Sequence, residues 1–128
     1  MRRIFLCLPL LALPAACTTA PPAKQAFLVF FEPWSVGLDA EGRAAIDRAA
    51  SLAKSSPSAV VDVVGFADPD GSAAANVELS RLRAQLVVDE LVKAGVAQAR
   101  IRQSGRGPTD FAQSSLESRR VEITIGGL

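Results

Sequence analysis

The side chains with the clearest chemical potential lie close together in the second half of the chain. Asp68-Pro69-Asp70-Gly71 sets two carboxylates in one turn, and Asn76, Ser80 and Arg83 follow at intervals of four and then three. Such intervals bring three polar side chains onto one face of a helix. The chain contains no histidine. That excludes a Ser–His or Cys–His nucleophile pair and any histidine-ligated metal. Two loop acids without His or Cys beside them supply neither a metal cluster nor an activated nucleophile. The expected chemistry is therefore binding, with no catalytic residue, no metal and no cofactor. An Asp and an Arg taken alone usually form no more than a surface ion pair, so the elements that would position them decide their meaning.

Those elements alternate between strand and helix. Phe27-Leu28-Val29-Phe30-Phe31 is a continuous apolar run, expected as a strand buried on both faces. Asp39 stands at an N-cap position ahead of Ala45, Ile46, Ala49, Leu52 and Ala53, which share one helical stripe, and Ser55-Ser56-Pro57 stops that helix. Val60-Val61-Asp62-Val63-Val64 predicts a second strand from its β-branched residues. Residues 65–71 read as a loop. A long helix is expected over residues 73–94, with Ala84, Val87, Val88 and Leu91 inward, the Asn76–Ser80–Arg83 face open to solvent, and Gly95 at C′. Residues 99–105 predict a third strand, and Arg120-Val121-Glu122-Ile123-Thr124-Ile125 alternates as a half-exposed last one. The order β-α-β-α-β-β implies an α/β (α+β) sandwich, with helices packed on a mixed four-stranded sheet.

The chain has 128 residues, enough for one compact domain. Its formal charge is +1, from 14 basic and 13 acidic residues; loss of Arg2 and Arg3 with a leader would leave 12 against 13. No basic field is available to hold nucleic acid. Met1-Arg2-Arg3 followed by the apolar residues 4–13 predicts a signal peptide over residues 1–16. Ten apolar residues are too few for a spanning helix, which needs roughly 20. Leu13-Pro14-Ala15-Ala16-Cys17 resembles a lipobox, with Pro14 where an apolar residue is usual, and implies diacylglyceryl attachment at Cys17. Residues 17–26 then form the lipidated cysteine and a short Pro/Thr/Ala-rich linker, and residues 27–126 the folded domain. Thr18 after the cysteine favours the outer membrane, with the domain facing the periplasm.

Four ordered blocks carry a family resemblance: Gly65-Phe66-Ala67-Asp68-Pro69-Asp70-Gly71, then Asn76 with Leu79-Ser80-Arg81-Leu82-Arg83-Ala84, then Gly105-Arg106-Gly107-Pro108, then Arg119-Arg120-Val121-Glu122-Ile123. Together they resemble the OmpA-like C-terminal domain shared by OmpA, Pal and MotB proteins. The resemblance implies non-covalent binding of peptidoglycan through the diaminopimelate of its stem peptide. It places the family's acid at Asp68 and its base at Arg83, with Asn76, Leu79, Ser80 and Arg119 near the ligand. Diaminopimelate ends in an ammonium and a carboxylate on one carbon, so an anion beside a planar guanidinium suits it.

Three departures accompany the match. Ala67 replaces a hydroxyl residue before the acid, Ser118 replaces an asparagine before Arg119, and the segment 109–117 is shorter than usual. They motivate an alternative, a structural or partner-binding envelope lipoprotein with this fold and no wall affinity. The favoured expectation is a peptidoglycan-binding lipoprotein that tethers the outer membrane to the wall.

Overall fold

A computed structural model describes residues 23–108 and 115–126 of the chain. Four strands form one sheet in the order β1-β4-β2-β3, with β1 at Gln25–Phe30, β2 at Val61–Ala67, β3 at Ile101–Pro108 and β4 at Arg120–Ile125. β4 runs antiparallel to both β1 and β2, whereas β2 and β3 are parallel. The sheet is mixed, as expected. Two helices, α1 at Ala40–Ser55 and α2 at Ala73–Lys93, cover one face of it, α1 against β1 and α2 across β2 and β3.

Local chemistry explains where the helices begin and end. Asp39 caps α1, its Oδ1 accepting the Gly42 N–H at 2.7 Å, which satisfies one of the donors a helix start leaves unpaired. α2 ends in a left-handed residue, Gly95 at φ 101°. The Gly95 N–H donates to the Val92 carbonyl and the Val96 N–H to the Leu91 carbonyl, both at 3.0 Å, which closes a Schellman motif. The helices bury Ala45, Ile46, Ala49 and Ala53 of α1 and Ala84, Val87, Val88 and Leu91 of α2 against Val61, Val63, Val121, Ile123 and Ile125 of the sheet.

Several sequence expectations need correction. β1 is an edge strand with one covered face: Val29 is wholly buried, but Leu28 is 44% exposed. Both helices pack on the same side, so alternate residues of that apolar run look outward. The run also begins earlier than expected, because Gln25 and Ala26 already pair with Ile125 and Thr124; the strand takes in the end of the expected linker. β2 continues through Gly65 and Phe66 to Ala67 where a loop was expected. Gly65 permits this, since any Cβ there would collide with the Ser80 carbonyl oxygen of α2. β3 starts later, after a 3₁₀ turn at Gln98–Arg100. A four-residue helix, α3 at Ser115–Ser118, precedes β4. The expected leader, Cys17 and residues 109–114 lie outside the described residues.

Candidate functional site

Asp68 is the first residue past the end of β2, where the chain leaves the sheet and turns toward α2. The turn is tied down from below. The Asn76 side-chain amide donates to the Asp70 carbonyl at 2.7 Å, and Ser72 caps α2 through the Ala75 N–H. Arg119, between α3 and β4, reaches across the sheet end to this loop. Its Nη1 lies 3.1 Å from Asp68 Oδ2, its Nε donates to the Phe31 carbonyl at 3.0 Å, and its own carbonyl accepts the Phe31 N–H at 2.9 Å. The ion pair is largely buried, so its attraction is less screened than that of an exposed pair, and the cost of desolvating both groups offsets much of that gain.

Arg83 enters from α2 and is fully buried. Its Nε donates to the Ser35 carbonyl at 2.9 Å and its Nη2 to the Glu32 carbonyl at 3.0 Å, with a longer contact from Nη1 to the Phe66 carbonyl. The guanidinium also sits 5.2 Å from the centroid of the Phe31 ring. Burial lowers the Arg83 pKa; the Asp68 carboxylate opposes that shift, and the Arg119 cation adds to it. An arginine so placed keeps its charge at any physiological pH.

Asp68, Asn76, Leu79, Arg83, Arg119 and Trp34 together line a narrow, shallow depression with a cavity volume of about 10 Å³. Its distinguishing feature is Asp68 Oδ1, a buried acceptor with no hydrogen-bond partner, the only such side-chain atom among the described residues. An orphaned carboxylate oxygen is costly to bury and calls for a donor. Roomier hollows lie between β1 and α1 and over the open face of the sheet, but neither contains such an atom. Chemistry rather than size therefore singles out the depression at the end of β2.

Five of the six residues expected at a ligand site are thus brought together, and Ser80 is not. The Ser80 hydroxyl donates to the Val77 carbonyl at 2.7 Å and accepts the Gly107 N–H at 2.9 Å, which ties α2 to β3. The expected solvent-open helix face is also corrected. Asn76, Ser80 and Arg83 do share a face, but each is at most 1% exposed, because the turn at residues 32–35, the Asp68 loop and β3 close over it. The direct partner of Asp68 is Arg119 rather than Arg83. Trp34, which also lines the depression, is 64% exposed and has a backbone φ of 56°. For a residue other than glycine that conformation costs roughly 1–2 kcal/mol. Nothing in the local sequence, Glu32-Pro33-Trp34-Ser35, announces it.

The family model described as "OmpA family" matches residues 30–122. The probable lipoprotein YiaD of Escherichia coli is 34% identical over 106 residues, covering 78% of this chain and 48% of that protein. The peptidoglycan-binding protein ArfA of Mycobacterium tuberculosis is 36% identical over 86 residues, covering 62% of this chain and 26% of that protein. The chain thus spans about half of the first relative and about a quarter of the second. Among solved structures, the OmpA-like domain of FopA1 from Francisella tularensis superposes with a TM-score of 0.72 at 26% identity, covering 79% of this chain and 71% of that one. With a family match across most of its length and a superposable relative among solved structures, this chain belongs to the OmpA family.

Proposed function

We propose that the domain grips the stem peptide of peptidoglycan without cutting it, at the depression where β2 ends. The ligand is the zwitterionic end of diaminopimelate. Its ammonium donates to the unpartnered Oδ1 of Asp68, and its carboxylate lies toward Arg83 and Arg119. Asn76 holds the loop that carries the acid, and Leu79 supplies an apolar side wall. The observation that carries this reading is the buried, unsatisfied carboxylate oxygen between two guanidinium-bearing side chains. The relationship to a protein named as peptidoglycan-binding supports it.

The forces imply modest affinity for one site. A hydrogen bond to a charged group contributes roughly 1.5–3 kcal/mol net, against the cost of ordering a flexible peptide. Firm retention comes from many tethered domains facing many wall sites, which raises the effective concentration. In this reading Cys17 bears acyl chains and anchors the chain in the outer membrane, with the domain in the periplasm, so that membrane and wall are linked. Stable anchoring needs more than one acyl chain, which lipoprotein modification provides.

Cosedimentation with purified sacculi tests the proposal. Wild type is expected in the pellet and Asp68→Asn in the supernatant, with both proteins giving the same circular dichroism spectrum. Equal retention of the two, or of neither, rejects wall binding at this site. A Cys17→Ser chain is expected to move from the membrane fraction to the soluble one; a Cys17→Ser chain that stays with the membrane contradicts the anchor.

A further inference from the structure

Trp34 occupies its position at a cost that packing does not repay. A tryptophan ordinarily buries most of its ring, yet this one is largely exposed, and its backbone lies in the left-handed region. The turn around it is held on both sides. The Glu32 carbonyl accepts from the Ser35 N–H at 3.1 Å and from Arg83 Nη2 at 3.0 Å, while the Ser35 carbonyl accepts from Arg83 Nε at 2.9 Å. The buried guanidinium thus clamps the chain on either side of the tryptophan, two residues before it and one after. At its far edge the indole rests against Gly71, where a Cβ would stand 3.2 Å from Trp34 Cη2. Gly71 belongs to the same turn as Asp68, so the ring bridges the two loops that border the depression and forms part of its lining. A strained backbone persists where its surroundings enforce it, and such sites cluster where ligands bind.

Resting on the wall-binding reading of the same site, we infer that Trp34 is a ligand-contacting residue. Its exposed indole is the apolar wall against which the methylene arm of the stem-peptide diamino acid packs, while the charged end of that arm sits at Asp68. Arg83 then has a second role as a positioning residue, because it fixes the turn that presents the ring.

The left-handed φ makes the test discriminating. Trp34→Gly removes the ring and relieves the strain together. The full-length chain in detergent, titrated calorimetrically with a synthetic stem peptide ending in meso-diaminopimelate, is expected to bind about tenfold more weakly as Trp34→Gly, equivalent to about 1.4 kcal/mol. Its melting temperature should be equal to or above that of wild type. Trp34→Phe should retain most of the affinity. The chain has one tryptophan and no tyrosine, so indole emission reports on this residue alone and should shift on titration with the calorimetric Kd. Unchanged affinity in Trp34→Gly, or unchanged emission at saturation, overturns the inference. If Asp68→Asn loses binding while Trp34→Gly keeps it, only the wall is rejected; if wild type does not bind the peptide, the reading beneath it falls as well. Arg83→Lys should shift the emission of the ligand-free protein, and an unshifted spectrum with wild-type Kd rejects the positioning role.

Discussion

At opposite ends of β2 and β3 an arginine gathers backbone carbonyls, and the two ends differ in what is left over. At the start of the strands, Arg100 donates from Nη2 to the carbonyls of Ala53, Ser56 and Ala59, and from Nε to that of Ala59, at 2.6–3.0 Å. Those carbonyls come from the end of α1 and the turn beyond it, where a helix leaves acceptors unpaired. Nothing there asks for a ligand. At the far end, Arg83 and Arg119 also bond carbonyls, but they share the space with Asp68, whose Oδ1 has no partner. The same residue type seals one end and leaves the other unfinished. A completed polar network is a structural joint; the one with an unpartnered buried oxygen beside an exposed aromatic ring is where we propose that the ligand binds.

Substitutions can break that contrast, and the largest effect is expected at Arg83. Arg83→Ala strips donors from the carbonyls of Glu32 and Ser35 and leaves Asp68 with one cation fewer. It should cost about 3–5 kcal/mol of stability in urea unfolding, and a loss below about 1 kcal/mol would show that the clamp is not structural. Asp68→Asn keeps the shape and a hydrogen bond to Arg119 but removes the charge. It should leave the unfolding midpoint nearly unchanged while weakening stem-peptide binding roughly 10- to 100-fold, measured calorimetrically. Arg100→Ala should do the reverse, costing about 1–2 kcal/mol of stability with wild-type cosedimentation on sacculi. A binding loss there would erase the distinction between the two ends.

The smallest effect belongs to Lys93, fully exposed on α2 and hydrogen-bonded to Glu90 at 2.9 Å. The Glu90 hydrogen bond and charge raise its pKa. Any stabilisation from the pair is therefore present below the ordinary lysine pKa and lost as pH rises through the higher folded-state value. Solvent screening makes the contribution negligible, and the melting temperature of Lys93→Gln should match wild type through the neutral range.

Sequence periodicity revealed the parts of this molecule that local chemistry determines. Asp39, Gly95 and the alternation of Arg120–Ile125 each follow from a helix end or a pleat that a few neighbouring residues specify. Expectations failed where distant segments decide the outcome. The open face of β1 depends on both helices lying on one side of the sheet, which an apolar run does not encode. The burial of Arg83 depends on a turn 48 residues earlier in the chain closing over it. The Asp68–Arg119 pair spans 51 residues, and Arg119 entered the expected site through family resemblance rather than pattern. The joint at Arg100 is equally non-local, because its acceptors are carbonyls at the end of α1 and in the turn beyond it, more than forty residues earlier. Trp34 was invisible for the same reason: its strain and exposure are imposed by Arg83 and Gly71, not by its neighbours in sequence.

The central claim is tested most directly by following the backbone amides of the isotope-labelled chain by NMR during titration with a diaminopimelate-ending stem peptide. Saturable shifts are expected in residues 32–35, 66–72 and 76–79 and at Arg119, with the amides around Arg100 still. Shifts confined to the open sheet face or to the Arg100 end, or a spectrum that does not change, would contradict the assignment of the binding site to the end of β2.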